Sequence, residues 1–182
     1  MRDLSLHILD ILTNSIAADA KLMHISVIIQ EDSDLLRVIV EDDGAGMDED
    51  FLKTVADPFS TTRTTRKVGL GIPLLKELCE LTGGYFKIES IKGKGTRVEA
   101  AFVNSSIDRL PIGCIGDSMA PVWSTYDDRD FVLLFSSQRS GESTIDKREI
   151  KQQLDGLSLS HPDVYMFIKD YINEQQHSIL GG

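Results

Sequence analysis

The sequence predicts an α+β protein, a two-layer α/β sandwich with helices on one face of a mostly antiparallel sheet. Three observations carry this. Residues 6–20 (LHILDILTNSIAADA) place their apolar side chains at helical spacing. Two pairs of β-branched runs, 24–30 with 35–41 and 85–91 with 96–103, are each joined by a few turn-forming residues. A leucine-rich segment opened by glycines and closed by Gly83-Gly84 lies between the pairs.

On a helix through residues 3–20, Leu4, Ile8, Ile11 and Leu12 form one apolar stripe, and Asp3, His7, Asp10 and Asn14 share the opposite face. Such a polar row is ordinarily a solvated surface, and a lone histidine in it is expected to be structural. The first strand pair is separated by Glu31-Asp32-Ser33-Asp34. Its second strand runs into Asp42-Asp43-Gly44-Ala45-Gly46-Met47, where a carboxylate is followed by backbone able to bend sharply beside a ligand. Asp48 caps a short helix through Val55.

Residues 56–68 (ADPFSTTRTTRKV) lose all periodicity and carry hydroxyls with Arg63, Arg66 and Lys67. That composition suits a mobile lid over an anionic ligand. Gly69-Leu70-Gly71 then opens a helix with Pro73 in its first turn and Leu74, Leu75, Leu78 and Leu81 expected on its buried side. Glycines at a helix start leave N–H groups and the positive dipole end facing outward, a site for phosphate, although neither GxGxxG nor a Walker loop is present. The second strand pair turns at Lys92-Gly93-Lys94-Gly95.

Residues 104–111 read as a linker. Beyond it the pattern predicts a helix within 112–123, strands at 131–136 and near 142–145, a helix over 146–154 and a last helix over 162–176 with Val164, Phe167, Ile168, Tyr171 and Ile172 inward. A two-stranded hairpin cannot hold a core alone, so this part is expected to extend the first sheet. The expected division is residues 1–103 and a small C-terminal α/β extension, 104–182.

Composition narrows the function. The 182 residues hold 29 acidic and 19 basic side chains, a net charge of −10 that argues against general nucleic-acid binding. No apolar run is long enough to span a bilayer and no leader pattern opens the chain, so a cytoplasmic location with no membrane partner is expected. Cys79 and Cys114 stand far apart and outside any metal-ligand spacing, and are expected to be structural or incidental.

Together these motifs resemble the GHKL superfamily of gyrase, heat-shock chaperone, histidine-kinase and mismatch-repair ATPases. TNSIAADA is similar to the N-box, DDGAGM to the G1 box, DPFSTTR to the F-box, VGLGIPLLKELCELTGG to the G2 box and GKGT to the last glycine box, in order over residues 4–103. The resemblance implies a Bergerat-type ATP-binding fold with ATP and Mg²⁺ as cofactors. It implies that Asn14 holds Mg²⁺ and that Asp42 accepts from the adenine amino group with Thr96 supporting it through water. Gly44 and Gly46 would let backbone pass the base. Gly69, Leu70 and Gly71 would border the phosphates, which Arg63, Arg66 or Lys67 would reach from the lid.

Asp10 departs from the family, whose hydrolysing and serine-kinase branches carry glutamate four residues before the asparagine. Asp10 is one methylene shorter, and its role stays open between general base and partner of the metal or of solvent. The resemblance implies a stand-alone ATP-binding protein that transfers phosphate to, or controls, a partner protein, since no dimerisation helix pair with a phospho-accepting histidine precedes the N-box. The alternatives are a non-catalytic nucleotide sensor and a hydrolysing clamp. The clamp would need a lysine from a following domain, for which Lys147 and Lys151 are the candidates. Oligomeric state is not legible.

Overall fold

The computed structural model describes residues 2–55 and 71–181. The expected lid, with Arg63, Arg66 and Lys67, and the following Gly69 and Leu70 lie outside the described residues.

Helix α1, Leu4–Ala17, starts where the Asp3 carboxylate accepts from the Leu6 N–H, and it buries Leu4, Ile8, Ile11 and Leu12 as expected. Two further amides of its first turn, Leu4 and Ser5, donate to the carbonyls of Pro111 and Ile112 at 2.9 Å, so the end of the linker caps this helix. The opposite row is not simply solvated, because His7 is only 3% exposed. The strands β1, Leu22–Gln30, and β2, Leu35–Asp42, pair antiparallel around a single 3₁₀ turn. Helix α2, Glu49–Thr54, is capped by Asp48, which accepts from the Phe51 N–H.

Helix α3, Gly71–Leu81, is rotated somewhat relative to the expectation. Leu75 is buried and Leu78 packs against the core as expected, but Ile72 and Cys79 are buried too, while Leu74 is 42% and Leu81 61% exposed. Both stripes have helical spacing and both are apolar, so the pattern is ambiguous; the sheet below receives the stripe carrying the compact Gly71 and Cys79. Strands β3, Tyr85–Ile91, and β4, Gly95–Val103, form the second hairpin. Then follow α4, Ile115–Thr125, β5, Asp130–Ser137, β6, Gly141–Asp146, α5, Lys147–Gln153, and α6, Pro162–Leu180. In α6 Val164, Ile168 and Ile172 point inward, but Phe167 is 56% exposed and stacks on Tyr171 at 5.7 Å. Its position one turn before Tyr171 sets it beside the buried stripe rather than within it.

The sheet runs β3-β4-β2-β1-β5-β6. Every pairing is antiparallel except β1 with β5, which lie parallel. The C-terminal hairpin β5–β6 therefore continues the sheet beside β1. One face of the strands, including Ile25, Val38, Val98, Leu133 and Phe135, is buried in one apolar cluster with α1 and with Trp123 and Ile168 of α4 and α6. The other face carries charge. Glu99, 7% exposed, accepts from Arg37 at 2.6 Å, Arg97 at 3.0 Å and the Tyr85 hydroxyl at 2.6 Å.

In the C-terminal part Lys147 is fully buried, donates to the carbonyls of Tyr126 at 2.6 Å and Arg129 at 2.8 Å, and lies 5.2 Å from the centre of the Phe131 ring. Lys151 pairs with Asp127 at 2.9 Å. Both lysines suggested for a clamp are thus engaged within their own neighbourhood. Among the described residues no helix is long and apolar enough to cross a membrane.

Candidate functional site

The row Asp42–Thr96–Ser90 crosses β2, β4 and β3 in register on the helix-covered side of the sheet, and α1 lies over it. Asp42 ends β2, so its side chain is held by strand pairing while the backbone beyond it is free to turn. Its carboxylate is fixed twice: Ser15 of α1 donates to Oδ2 at 2.6 Å, and the Gly44 N–H donates to Oδ1 at 2.9 Å. Thr96 sits 2.9 Å from the Ser90 hydroxyl. Between these groups and α2 lies a cavity of about 250 Å³. Its polar end is Asn14, Ser15, Asp42 and Thr96; its walls include Ile11, Met47, Phe51, Val55, Ile72 and Val98. A carboxylate with spare lone pairs between flat apolar walls suits a heterocycle bearing an amino group.

The loop after β2 is stitched to both neighbours. Ala45 N–H donates to the Ala18 carbonyl, Gly93 N–H donates to the Ala45 carbonyl, and Met47 N–H donates to the Ser90 hydroxyl. Asp43 does not face the cavity; it accepts from the amides of Lys21 and Leu22 and holds the start of β1. Gly46, at φ +62°, passes so close to the β3–β4 turn that a Cβ would stand 2.1 Å from the Ile91 carbonyl oxygen, and only glycine fits.

Along α1, from Asn14 in the cavity lining back towards its start, three buried polar atoms have no hydrogen-bond partner among the described residues: His7 Nδ1, Asp10 Oδ2 and Asn14 Nδ2. Burial raises the Asp10 carboxyl above its ordinary value and lowers the His7 imidazole below its own. The first residue of α3 faces Asp10 so closely that a Cβ on Gly71 would stand 1.7 Å from Asp10 Oδ2. Orphaned buried polar atoms are rare and costly, and three in one helical row call for a ligand or a cation. Among the described residues no cluster of three or more His, Cys, Asp or Glu is arranged to hold a metal alone. Asn14 offers a hard oxygen of the kind a Mg²⁺ ion shares with phosphate oxygens and water, and the orphaned Asp10 oxygen, one turn away, suits a water of such an ion.

The structure thus brings Asp10, Asn14, Asp42, Gly44, Gly46, Gly71 and Thr96 to one region. The sequence reading missed Ser15 and Ser90. Ser90 was accessible by counting hairpin register, since the pair Ile91 and Gly95 closing the turn sets Ser90 opposite Thr96. Cys79 is fully buried, with its thiol pushed up to about 12 mainly by burial, and has no chemistry to offer here.

Residues 2–105 match the model of the family described as histidine kinase-, DNA gyrase B-, and HSP90-like ATPase. Similar curated proteins include sporulation kinase E of Bacillus subtilis, 40% identical over 65 residues, and sensor kinase CckA of Brucella abortus, 36% identical over 81 residues. These matches cover 36% and 44% of this chain but only 9% and 8% of those proteins, so the chain corresponds to a small part of their length. Among solved structures, the Aquifex aeolicus MutL ATPase domain complexed with ADP superposes with a TM-score of 0.51 at 12% identity, over 85% of this chain and 68% of that one. The N-terminal domain of a DNA repair protein gives 0.53 at 14% identity, over 80% and 52%. At those identities the superpositions speak for the shared fold alone. With the family model spanning more than half of its length, this chain belongs to the histidine kinase-, DNA gyrase B- and HSP90-like ATPases.

Proposed function

We propose that the protein binds ATP with Mg²⁺ and acts as a phosphotransferase or ATPase toward a partner protein. The observation that carries this reading is the pairing of a carboxylate-floored heterocycle cavity with a row of orphaned polar atoms one helical turn apart. Adenine would enter the cavity with its amino group toward Asp42. Asn14 would hold Mg²⁺, which when bound neutralises phosphate charge. Gly71 at the start of α3 would border the phosphates.

Asp10 is the candidate general base. It precedes Asn14 by one turn, and the burial that raises its pKa makes its carboxylate a better proton acceptor than a solvated one. Phosphoryl transfer depends mostly on positioning and charge stabilisation, so Asp10 also serves by orienting the attacking oxygen. The curated relatives named as kinases favour transfer to a partner over simple hydrolysis.

Incubation with γ-labelled ATP and Mg²⁺, reading bound nucleotide, free phosphate and label on protein together, tests the proposal. Binding with label on an added partner supports a kinase, and free phosphate that disappears in Asp10→Asn supports an ATPase. Binding without either product, in the presence of candidate partners, makes the protein a nucleotide sensor. Absence of ATP binding overturns the reading.

A further inference from the structure

Ser90 does not line the cavity, yet its hydroxyl is the most heavily used near it. Its oxygen receives the Met47 N–H at 2.8 Å, lies 2.9 Å from the Gly95 carbonyl oxygen and lies 2.9 Å from Thr96 Oγ1. A hydroxyl has one proton and two lone pairs. The Gly95 carbonyl can only accept, so the Ser90 proton goes there. One lone pair is taken by Met47, and the contact with Thr96 is satisfied only if Thr96 donates to the other.

The Thr96 proton is therefore turned away from the cavity, and its oxygen offers that space lone pairs alone. The same holds for Ser15, which spends its proton on Asp42 Oδ2 at 2.6 Å. At the polar end of the cavity Asp42, Thr96 and Ser15 accordingly offer acceptors with no hydroxyl proton pointing inward, and the side-chain donor in that lining is the Asn14 amide.

We propose that Ser90 is a specificity-determining positioning residue, which takes the Thr96 proton and so keeps Thr96 an acceptor. The site then favours an amino-bearing purine edge and disfavours a carbonyl at the same position. A 6-amino group finds acceptors directly, and the neighbouring ring nitrogen is reached through water, whose two protons bridge acceptor to acceptor. A 6-carbonyl set against Asp42 and Thr96 finds no hydroxyl donor there and would be left desolvated without a partner. This inference rests on the purine-nucleotide reading of the cavity.

The test is calorimetric titration of the whole chain with Mg²⁺-ATP and Mg²⁺-inosine triphosphate, whose bases differ by a 6-amino group beside a bare N1 against a 6-carbonyl beside an N1–H that the bridging water can accept in either protein. The quantity read is the ratio of the two affinities. It does not depend on the folded fraction, and it cancels whatever Ser90→Ala costs by stranding Met47 N–H and the Gly95 carbonyl. Wild type is expected to prefer ATP, and Ser90→Ala, which frees the Thr96 proton to turn inward, to reduce that preference about three- to tenfold. Ser90→Thr, which keeps the hydroxyl, should restore it. Ser90→Ala with Thr96→Val should lose the gain for inosine triphosphate.

An unchanged ratio in Ser90→Ala, an equal loss of both affinities, or a gain that survives Thr96→Val overturns the role of Ser90 while leaving the ATP site standing. Wild type that binds neither nucleotide removes the purine reading, and the role of Ser90 falls with it.

Discussion

On the outer face of the sheet Glu99 is almost fully buried yet meets Arg37, Arg97 and Tyr85, whereas on the helix-covered side Asp10 has a buried oxygen with no hydrogen-bond partner among the described residues. Burial alone would push both carboxyls up. At Glu99 the hydrogen bonds from Tyr85, Arg37 and Arg97 outweigh it and hold the group down to about 2, while at Asp10 burial is unopposed. In the C-terminal part Lys147 is likewise buried with partners from the chain, two carbonyls, although there burial still lowers the ammonium. A charge whose partners are supplied by the chain belongs to the fold. A charge whose partners are missing is held at a cost to stability, and that cost is repaid only by a ligand.

The comparison is broken most severely at the site itself. Asp42→Asn and Asn14→Asp should each weaken ATP binding by about a hundredfold or more in calorimetric titration, because each sets a wrong donor or charge against the ligand. Asp10→Asn should keep ATP affinity and lower phosphate release or transfer by about 10²–10⁴-fold. Its thermal midpoint at pH 7 should be equal to or above that of wild type. The sign follows from the raised folded pKa: the folded state holds the proton longer than the unfolded one, so the contribution of Asp10 to stability falls as pH rises through that pKa. A clear loss of stability in Asp10→Asn would place Asp10 with Glu99 as a structural group.

Lys147→Met should cost about 2–4 kcal/mol in urea denaturation, since two buried carbonyls lose their donor. The Lys147 ammonium is lowered to about 8, first by burial, from 10.5. Between those values the unfolded chain binds more protons, so this residue makes wild-type stability rise with pH from about 8 to 10.5, a rise Lys147→Met lacks. A neutral amine still has protons for both carbonyls, so the loop is kept. Glu99→Gln should cost about 1–2 kcal/mol at pH 7. The difference should vanish as pH falls from about 4.5 to about 2, because the depressed pKa gives stability that is present above the unfolded value and lost through the folded one.

Much of this was legible in the residues. The helix carrying Asp10 and Asn14, the two hairpins and the cap at Asp48 arise from spacing and turn chemistry over a few residues, and appear where the sequence indicates. Asp42 and Thr96 were paired by the resemblance to the family rather than by spacing, and the strands set them opposite one another. The buried side of α3 was legible only in part: Leu75 is buried and Leu78 packs against the core as expected, but Leu74 and Leu81 are exposed and Ile72 and Cys79 take their place, because either set has helical spacing until a sheet is there to receive one.

By itself the sequence determined which segments are helix or strand and which chemistry they carry, because helical period, strand alternation and turn residues act through neighbours in the chain. Only the tertiary structure decided that β5 lies parallel to β1 across more than a hundred residues, that the row of His7, Asp10 and Asn14 is sheltered rather than solvated, and that Ser15 and Ser90 hold the two sides of the acceptor end. Those features depend on which surfaces meet when the core closes, and on where each single hydroxyl proton goes once they have met.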